Sequence, residues 1–387
     1  MPELQDLGFG QAYPRRGRRV TDMFWYSEPW TLRYWLWLAA AFALSAAVAW
    51  AALHYALRHA LLDLPGRRRS HAAPTPRGAG IGIVVAALAS IFALAHAVPA
   101  AAPELRLCIP IALVAAIGWI DDHRPLPVLL RLGVHCLAVA IFLQPLLAAM
   151  FHLTASAPWL DTTFWQSAGI VALLGFVCIW SINLHNFMDG IDGLLALQTI
   201  FVLVAMAVLC QRYGNNPHDM QIALWAAAVA GFLPFNFPRA RAFMGDVGSG
   251  SVGFLIAIAV IWQNSSPYSA ALSGIVAASA FVTDASGTLL SRMLCGRRWY
   301  RAHREHLYQW MARAGMSHAR VVAGYMAWNL LVVVPVLYWM NLRPFGAPPK
   351  PGAVATLGIY ALAIIVWICG KRWCLYKVKS KKRYGLA

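Results

Sequence analysis

Eleven long apolar stretches restrict what this chain can fold into. Each approaches or reaches the roughly 20 residues that an α-helix needs to cross a bilayer. Hydrophobic residues make up 60% of the sequence and charged residues 12%, about half the charged share of a soluble protein. We therefore predict an all-α, polytopic membrane protein with about eleven transmembrane helices. The stretches are residues 35–57, 79–101, 105–120, 129–150, 167–184, 191–210, 222–236, 251–262, 269–290, 321–340 and 353–370.

The apolar stretches leave no room for a separate soluble domain. We predict a single integral-membrane catalytic domain over residues 35–370, preceded by an N-terminal extension (1–34) and followed by a basic cytoplasmic tail (371–387). The polar and aromatic extension is too long for the charged start of a cleavable signal peptide, so none is expected.

Positive charge is distributed unevenly along the chain. The formal net charge of +17 would suggest nucleic acid binding on a soluble protein, but on so apolar a chain it indicates anionic lipids. When each loop is numbered by the stretch it follows, most Lys and Arg residues fall in the odd-numbered loops and the C-terminal tail. The positive-inside rule then places these loops in the cytoplasm. Arg residues between positions 15 and 33 run against this pattern and leave the side of the extension open.

Acidic residues are few, and five of them fall at the predicted cytoplasmic ends of apolar stretches. They are Asp121, Asp122, Asp189, Asp192 and Asp246. A lone aspartate beside a helix is most often a cap, but five on one face repel one another unless cations compensate. Carboxylate oxygens favour Mg²⁺ or Mn²⁺, so we predict a metal-assisted site on this face.

Basic side chains in two neighbouring loops match these acids. Loop one contains Arg67–Arg69 and Arg77, and loop nine contains His303, Arg304 and His306. Guanidinium groups suit the oxygens of a diphosphate. Together with a metal, they predict phosphate chemistry by in-line displacement.

The fifth loop carries polar residues at every third position, namely Asn183, Asn186, Asp189 and Asp192. On an unbroken helix the first and last of these would point in opposite directions. They can converge only if the helix stops, and Gly190 and Gly193 supply that break. The segment GDVGSGS, from Gly245, likewise has a composition typical of backbone that binds phosphate.

Five motifs in this order carry a resemblance to a known family: PTPRGAG, GWIDDxxxLxxxxRL, NxxNFMDGIDGL, NFPxARxFMGDVGS and HxxHLYQ. Over residues 60–320 the chain resembles the polyprenyl-phosphate N-acetylhexosamine-1-phosphate transferases. His306 is followed by Leu307, so the three consecutive histidines of the muramoyl-pentapeptide branch are lacking. The chain is more similar to the undecaprenyl-phosphate GlcNAc-1-phosphate transferase branch.

The resemblance implies specific roles for the site residues. It implies Asp246 and Asp189 as Mg²⁺ ligands, with Mn²⁺ as an alternative cofactor, and catalytic roles for Asp121, Asp122 and Asp189. Asp121 would deprotonate or orient the lipid phosphate, and Phe243 would stack on uracil. Some relatives carry a third acid where Pro125 stands here, so that role does not transfer. The remaining substrate-binding residues would be Arg77, Asn186, Asp192, His303, Arg304 and His306.

The implied reaction moves N-acetylhexosamine-1-phosphate from UDP-GlcNAc, or a related UDP-N-acetyl sugar, to undecaprenyl phosphate and releases UMP. It would initiate a cell-envelope polysaccharide such as O-antigen at the cytoplasmic face of the bacterial inner membrane. The expected partners are the two substrates and the bilayer, with no nucleic acid. The donor sugar, and the choice between monomer and homodimer, stay open.

Two other classes compete with this interpretation. A secondary transporter should place its charges near the membrane midplane, whereas here they crowd one side. A CDP-alcohol phosphotransferase requires a DGxxAR motif, which DGIDGLLAL lacks.

Asp284 lies inside the ninth apolar stretch, where an acid is costly and is functional by default. Two interpretations remain open for it: support for the arginines of loop nine, or an ion pair with Arg292. For His123, His185 and His318 we expect hydrogen-bonding or helix-end roles.

Overall fold

Helices make up almost all of the regular structure. The computed structural model describes residues 31–63, 74–153, 162–213, 218–262, 268–298, 303–341 and 350–383. Within these residues the β-structure is one short antiparallel pair, β1 (Leu62–Asp63) and β2 (Thr75–Pro76). The predicted all-α class is confirmed. Residues 1–30 of the predicted extension, and Arg67–Arg69, lie outside the described residues.

Among the described residues up to position 236 there are seven α-helices, with a 3₁₀ helix between the second and third. They are α1 (Leu32–Arg58), α2 (Ile81–Ala97), the 3₁₀ helix (Pro99–Leu107), α3 (Cys108–His123), α4 (Val128–Leu153), α5 (Thr162–Met188), α6 (Leu194–Tyr213) and α7 (His218–Asn236).

From position 245 onward, the part of the chain that the structure describes contains seven more α-helices and one short π-helical segment. They are α8 (Gly245–Trp262), α9 (Tyr268–Ala277), α10 (Ser279–Leu294), α11 (Leu307–Arg313), α12 (His318–Trp328), the π segment (Asn329–Val333), α13 (Val334–Asn341) and α14 (Lys350–Arg383).

Eight helical segments among the described residues are long and apolar enough to cross a membrane. They are Leu32–Arg58, Pro99–His123, Val128–Met150, Phe164–Met188, Leu194–Gln211, Gly245–Trp262, His318–Asn341 and Gly352–Lys381. The other three predicted stretches fall on the shorter α2, on α7, and on α9 and α10, which are separate helices. The multi-pass membrane fold is confirmed, and the number eleven stays a prediction.

Helix α8 lies at the centre of the bundle. Every residue from Val247 to Ala259 is buried, and the helix packs against α3 and α5. In contrast, α4, α5 and α14 expose many large apolar side chains, which is the pattern of helices that face lipid. The acid at the start of α8 is therefore held by the most enclosed helix of the fold.

The last helix is continuous beyond its apolar part. α14 runs for 34 residues to Arg383, so the predicted boundary between 370 and 371 marks a change in composition within one helix. Its membrane part packs against α9, α10 and α11.

Candidate active site

Acids from three different loops meet at one end of the bundle. Asp121 and Asp122 end α3, Asp189 and Asp192 lie in the turn between α5 and α6, and Asp246 is in the first turn of α8. Loss of hydration, and then repulsion from Asp246 and Asp122, raise the pKa of Asp189 to about 8. The predicted convergence of these acids is confirmed.

Arg131 bridges two of the acids. Its Nη1 lies 2.7 Å from Asp121 Oδ2 and 3.1 Å from Asp246 Oδ2. The residue stands in the first turn of α4, which brings a cation from the lipid-facing side into the cluster. Sequence reasoning gave Arg131 no role, although it is the arginine of the GWIDDxxxLxxxxRL motif.

Asp122 caps α8 from a different helix. Its Oδ1 accepts the Asp246 N–H at 3.0 Å, and its Oδ2 accepts the Val247 N–H at 3.1 Å. The carboxylate is 2% exposed, so it neutralises the positive end of the α8 dipole in a dry environment. Gly245 has φ +76°, and a Cβ there would lie 2.5 Å from Asp122 Oδ2. These contacts are those of a cap that aims Asp246, and the catalytic role of Asp122 stays a prediction.

Asp121 has a different environment from its neighbour. Its Oδ1 accepts the Leu126 N–H at 2.6 Å, while its Oδ2 faces Arg131. The side chain is more exposed than that of Asp122. Of the paired aspartates, Asp121 is therefore the one that an incoming ligand can reach.

The turn between α5 and α6 forms where the sequence predicts it. α5 ends at Met188 and α6 begins at Leu194, and Gly193 takes φ +75°. Asn236 Oδ1 fixes the turn by accepting the Gly193 N–H at 2.8 Å. Asn186 lies in the last turn of α5, and its carbonyl accepts the Asp189 N–H at 3.3 Å.

Asn183 does not join this convergence. Its side-chain amide donates to the Ile179 carbonyl of its own helix at 2.8 Å. The expectation that all four polar residues of the repeat meet is therefore wrong for the first of them.

Asp63, which the sequence analysis did not single out, also faces the cluster. It lies close enough to Asp189 for its charge to contribute to the raised pKa of that residue. No spacing or motif signal marks Asp63 in the sequence, because β1 joins the site only through tertiary packing.

Asp192 is paired with a histidine from a distant helix. His318 Nδ1 lies 3.2 Å from Asp192 Oδ2, at the first position of α12. The expected hydrogen-bonding role of His318 is confirmed. Beside this pair, a pocket of about 630 Å³ is lined by Asp192, Pro234, Phe237, Pro238, Arg239, Arg241, Ser317, His318 and Ala319.

Phe243 and Arg77 belong to the framework around the acids. The Phe243 N–H donates to the Pro76 carbonyl at 2.8 Å, and the Ala79 N–H donates to the Phe243 carbonyl at 3.2 Å. Arg77 donates from its guanidinium to the backbone carbonyl of Asp122. The segment before α8 is thus fastened to loop one, with the Phe243 ring half-buried.

Gly248 of the GDVGSGS segment allows close packing of the backbone. A Cβ on Gly248 would lie 2.8 Å from Gly80 Cα and 2.3 Å from the Met244 side chain. The space beside Gly248 is filled by protein, and phosphate binding by the backbone of this segment stays a prediction. Small residues let α2 and α8 cross at short distance.

The HxxHLYQ segment packs against the turn between α5 and α6, where the Tyr308 hydroxyl donates to the Phe187 carbonyl at 3.0 Å. Burial, with repulsion from His306 and Arg292, lowers the pKa of His303 to about 4, and burial also lowers the pKa of His306. Both imidazoles are therefore neutral hydrogen-bonding groups at neutral pH. Within the segment, Glu305 pairs with Arg292 and, at 3.0 Å, with Arg297, while Arg304 is half-buried.

The pairing of Arg292 with Glu305 settles one open interpretation. Arg292 bonds Glu305 and the Arg298 carbonyl rather than Asp284. The predicted ion pair between Asp284 and Arg292 is therefore wrong.

The donor chemistry of the acid cluster suits a hard dication. Among the described residues, no three His, Cys, Asp or Glu side chains form a ready-made metal cage. Mg²⁺ retains several waters and needs only one or two protein carboxylates. Asp246 and Asp189 are the candidates for these ligands; Asp246 faces the carboxylates of Asp121 and Asp122 as well as the guanidinium of Arg131.

Comparisons with known proteins agree with this arrangement. The model of the family described as Glycosyl transferase family 4 matches residues 105–264, which include Asp121, Asp122, Asp189, Asp192 and Asp246.

Several relatives match most of the chain. The decaprenyl-phosphate N-acetylglucosaminephosphotransferase of Mycobacterium leprae is 28% identical over 352 residues, covering 80% of this chain and 83% of the relative. That of Mycobacterium tuberculosis is 28% identical over 338 residues, covering 77% and 79%. The phospho-N-acetylmuramoyl-pentapeptide-transferase of Moorella thermoacetica is 29% identical over 294 residues, covering 71% and 87%.

The acids and Arg131 bring two of the quoted motifs together in one site, and the names of the relatives describe transfer of a phosphorylated sugar. The chain is similar to the polyprenyl-phosphate N-acetylhexosamine-1-phosphate transferases, through the family model over residues 105–264 and through relatives that are 28–29% identical.

Proposed function

We propose that this protein transfers N-acetylhexosamine-1-phosphate from UDP-GlcNAc, or a related UDP-N-acetyl sugar, to undecaprenyl phosphate and releases UMP. The product would start a cell-envelope polysaccharide such as O-antigen. The observation that carries the proposal is the Arg131 bridge, which joins Asp121 at the end of α3 to Asp246 at the start of α8. A cation between two carboxylates at the end of lipid-facing helices suits two anionic substrates.

The position of the site supports a reaction between a soluble and a lipid substrate. The acids lie at helix ends, where a nucleotide sugar can arrive from water and a lipid phosphate from the leaflet. The basic end of α14 lies on the loop-nine side of the molecule, since Lys381 Nζ approaches Gly315. By the positive-inside rule we place this face in the cytoplasm.

Each acid has a distinct part in the proposed reaction. Asp246 and Asp189 would hold Mg²⁺, or Mn²⁺ in its place. This ion would neutralise charge on the diphosphate. Asp121 would orient the lipid phosphate and accept its remaining proton, with Arg131 holding that phosphate from the lipid side.

The bond changes follow a direct displacement. An oxygen of the lipid phosphate attacks the β-phosphorus of the UDP-sugar and forms the new P–O bond. The bond from that phosphorus to the bridging oxygen breaks, and UMP leaves with the electron pair. Phe243, Asn186 and Asp192 would bind the nucleotide, and Arg77, His303, Arg304 and His306 the sugar diphosphate.

Purified protein tests the proposal directly. In lipid nanodiscs with Mg²⁺ and undecaprenyl phosphate, a panel of UDP-sugars should give UMP and a lipid-linked sugar phosphate for at least one UDP-N-acetylhexosamine. Decaprenyl phosphate serves as a second lipid arm because of the mycobacterial relatives, and Asp246→Asn is the inactive control. Absence of UMP with every donor and both lipids would refute the proposal, and sugar uptake by proteoliposomes would favour the transporter alternative.

A further inference from the structure

Asp284 is a buried acid that the proposed reaction does not use. It lies in α10 and is 1% exposed, yet its carboxylate is fully engaged. Its Oδ1 accepts the Leu307 N–H at 2.7 Å, the Trp367 indole N–H at 3.0 Å and the Thr288 hydroxyl at 3.3 Å. Its Oδ2 accepts the Tyr325 hydroxyl at 2.7 Å and the Tyr308 N–H at 3.4 Å.

These donors come from four helices. Leu307 and Tyr308 begin α11, Tyr325 belongs to α12, Trp367 belongs to α14, and Thr288 lies one turn further along α10. Five donors around a group that only accepts hydrogen bonds are consistent with an ionised carboxylate. A charge inside an apolar bundle is retained at high cost. The arrangement therefore points to a function that a neutral side chain would not serve.

The first consequence of this network concerns His306. The histidine immediately precedes Leu307, whose amide makes the shortest backbone bond to Asp284. His306 Nδ1 itself lies 4.0 Å from Asp284 Oδ1, and the His303 and His306 rings lie 5.0 Å apart. The hydrogen bonds of Asp284 thus fix the position of the backbone that carries His303 and His306.

The second consequence concerns the turn between α5 and α6. Tyr308 is fully buried, and its hydroxyl donates to the Phe187 carbonyl at 3.0 Å. A Cβ on Gly190 would lie 2.1 Å from that hydroxyl, so the turn rests directly on the tyrosine. Phe187 and Gly190 flank Asp189 at a distance of two residues and one residue, respectively.

We propose that Asp284 is a positioning residue for donor recognition. By fixing the start of α11, it holds His303 and His306 on one side and, through Tyr308, the Asp189 turn on the other. The HxxH segment and the Asp189 turn thereby keep the relative position that binding of the nucleotide sugar requires. The inference rests on the proposed function, and it predicts that donor binding is more sensitive to Asp284 than lipid binding is.

Asp284→Asn provides the main test. Asparagine keeps one acceptor oxygen but turns an amide N–H towards groups that donate. We expect the Michaelis constant for the UDP-sugar to rise on the order of tenfold, and that for undecaprenyl phosphate to change by less than about threefold. Amide exchange of residues 303–313 should quicken while exchange in α8 is unchanged. Thr283→Val, a buried change one residue away on α10, should leave all three measurements at wild-type values.

Tyr308→Phe isolates the link to the turn. It removes the hydroxyl that donates to the Phe187 carbonyl and accepts from the Gln309 side-chain amide at 3.1 Å, while the bonds of Asp284 to Leu307 and Tyr308 remain. We therefore expect a smaller rise in the Michaelis constant for the UDP-sugar and no faster exchange at Leu307. The double variant with Asp284→Asn should be less impaired than the product of the two single effects, because both act through one chain of contacts. If Asp284→Asn cannot be purified, the donor-selective loss in Tyr308→Phe decides the case.

The outcomes separate this inference from the proposed function. Equal rises in both Michaelis constants, or exchange that quickens throughout the bundle, would reduce Asp284 to a general folding residue and overturn the inference. If the wild type transfers no sugar phosphate, the proposed function fails. In that case, exchange confined to residues 303–313 would still support the positioning role, and unchanged exchange there would overturn it.

Discussion

Asp122→Asn removes the charge from the cap of α8 and should destabilise the protein before it affects the chemistry. The carboxylate accepts the Asp246 and Val247 amides at 3.0 and 3.1 Å. Asparagine keeps one acceptor oxygen and turns its amide towards the other N–H, which stays buried without a partner. The helix dipole also loses its compensating charge.

The size of the effect follows from these contacts. A hydrogen bond to a charged group contributes about 1.5–3 kcal/mol, and the dipole interaction adds about 0.3–1 kcal/mol. Loss of one such bond together with the dipole term gives a destabilisation of about 2–4 kcal/mol. At about 2 °C per kcal/mol, as for larger domains, the apparent Tm in detergent should fall by about 4–8 °C.

Asp121→Asn is the matched control, since it removes the same charge one residue earlier. Its carboxylate accepts the Leu126 N–H and pairs with Arg131. It takes no part in the cap of α8, which Asp122 provides. We expect its turnover to fall while its Tm shifts by less than half as much. Thermal unfolding followed by tryptophan fluorescence, with UMP release in parallel, measures both quantities. An unchanged Tm in Asp122→Asn alongside lost turnover would refute the capping argument.

Three further predictions concern the metal, the base and the topology. Asp246→Asn should lower turnover on the order of a hundredfold, or roughly 3 kcal/mol in the activation free energy. Wild-type turnover should vanish with EDTA and return with Mg²⁺ or Mn²⁺. Full activity of the variant at limiting Mg²⁺ would exclude Asp246 from the metal site. Phe243→Ala should raise the Michaelis constant for the UDP-sugar about tenfold, since stacking of a base contributes roughly 1–3 kcal/mol. Equal rises in the Michaelis constants for both substrates would instead indicate that Phe243 only packs the loop. In a variant whose only cysteine is the exposed Cys295, an impermeant thiol reagent outside intact cells should fail to label the protein. A second variant whose only cysteine is introduced by Leu105→Cys should be labelled, and the reverse pattern would invert the proposed topology.

The parts of the site that could be predicted are those that local chemistry determines. The break between Met188 and Leu194 follows from glycines within a polar repeat, and the meeting of Asp121 with Asp246 follows from acids on alternate loops. Arg131 was missed because it lies within an apolar stretch, where a lone arginine indicates topology as readily as function.

The remaining features depend on tertiary contacts that have no sequence signal. The cap of α8 comes from Asp122, a residue more than a hundred positions away along the chain. Asp284 collects donors from helices far apart in sequence, so neither proposed partner could be chosen beforehand. The number of spans stayed open because α9 and α10 divide one apolar stretch between two helices.

The unbroken course of α14 gives the molecule a rigid spacer. At 1.5 Å per residue, its 34 residues extend about 51 Å, well beyond a hydrocarbon core of about 30 Å. The same rod carries Trp367, which bonds Asp284, and Gly370, which touches Leu307 of α11. A fusion partner joined after Arg383 would stand clear of the lipid headgroups. A truncation before Trp367 would remove the contacts of α14 with Asp284 and Leu307, which lie beside the proposed donor-binding histidines.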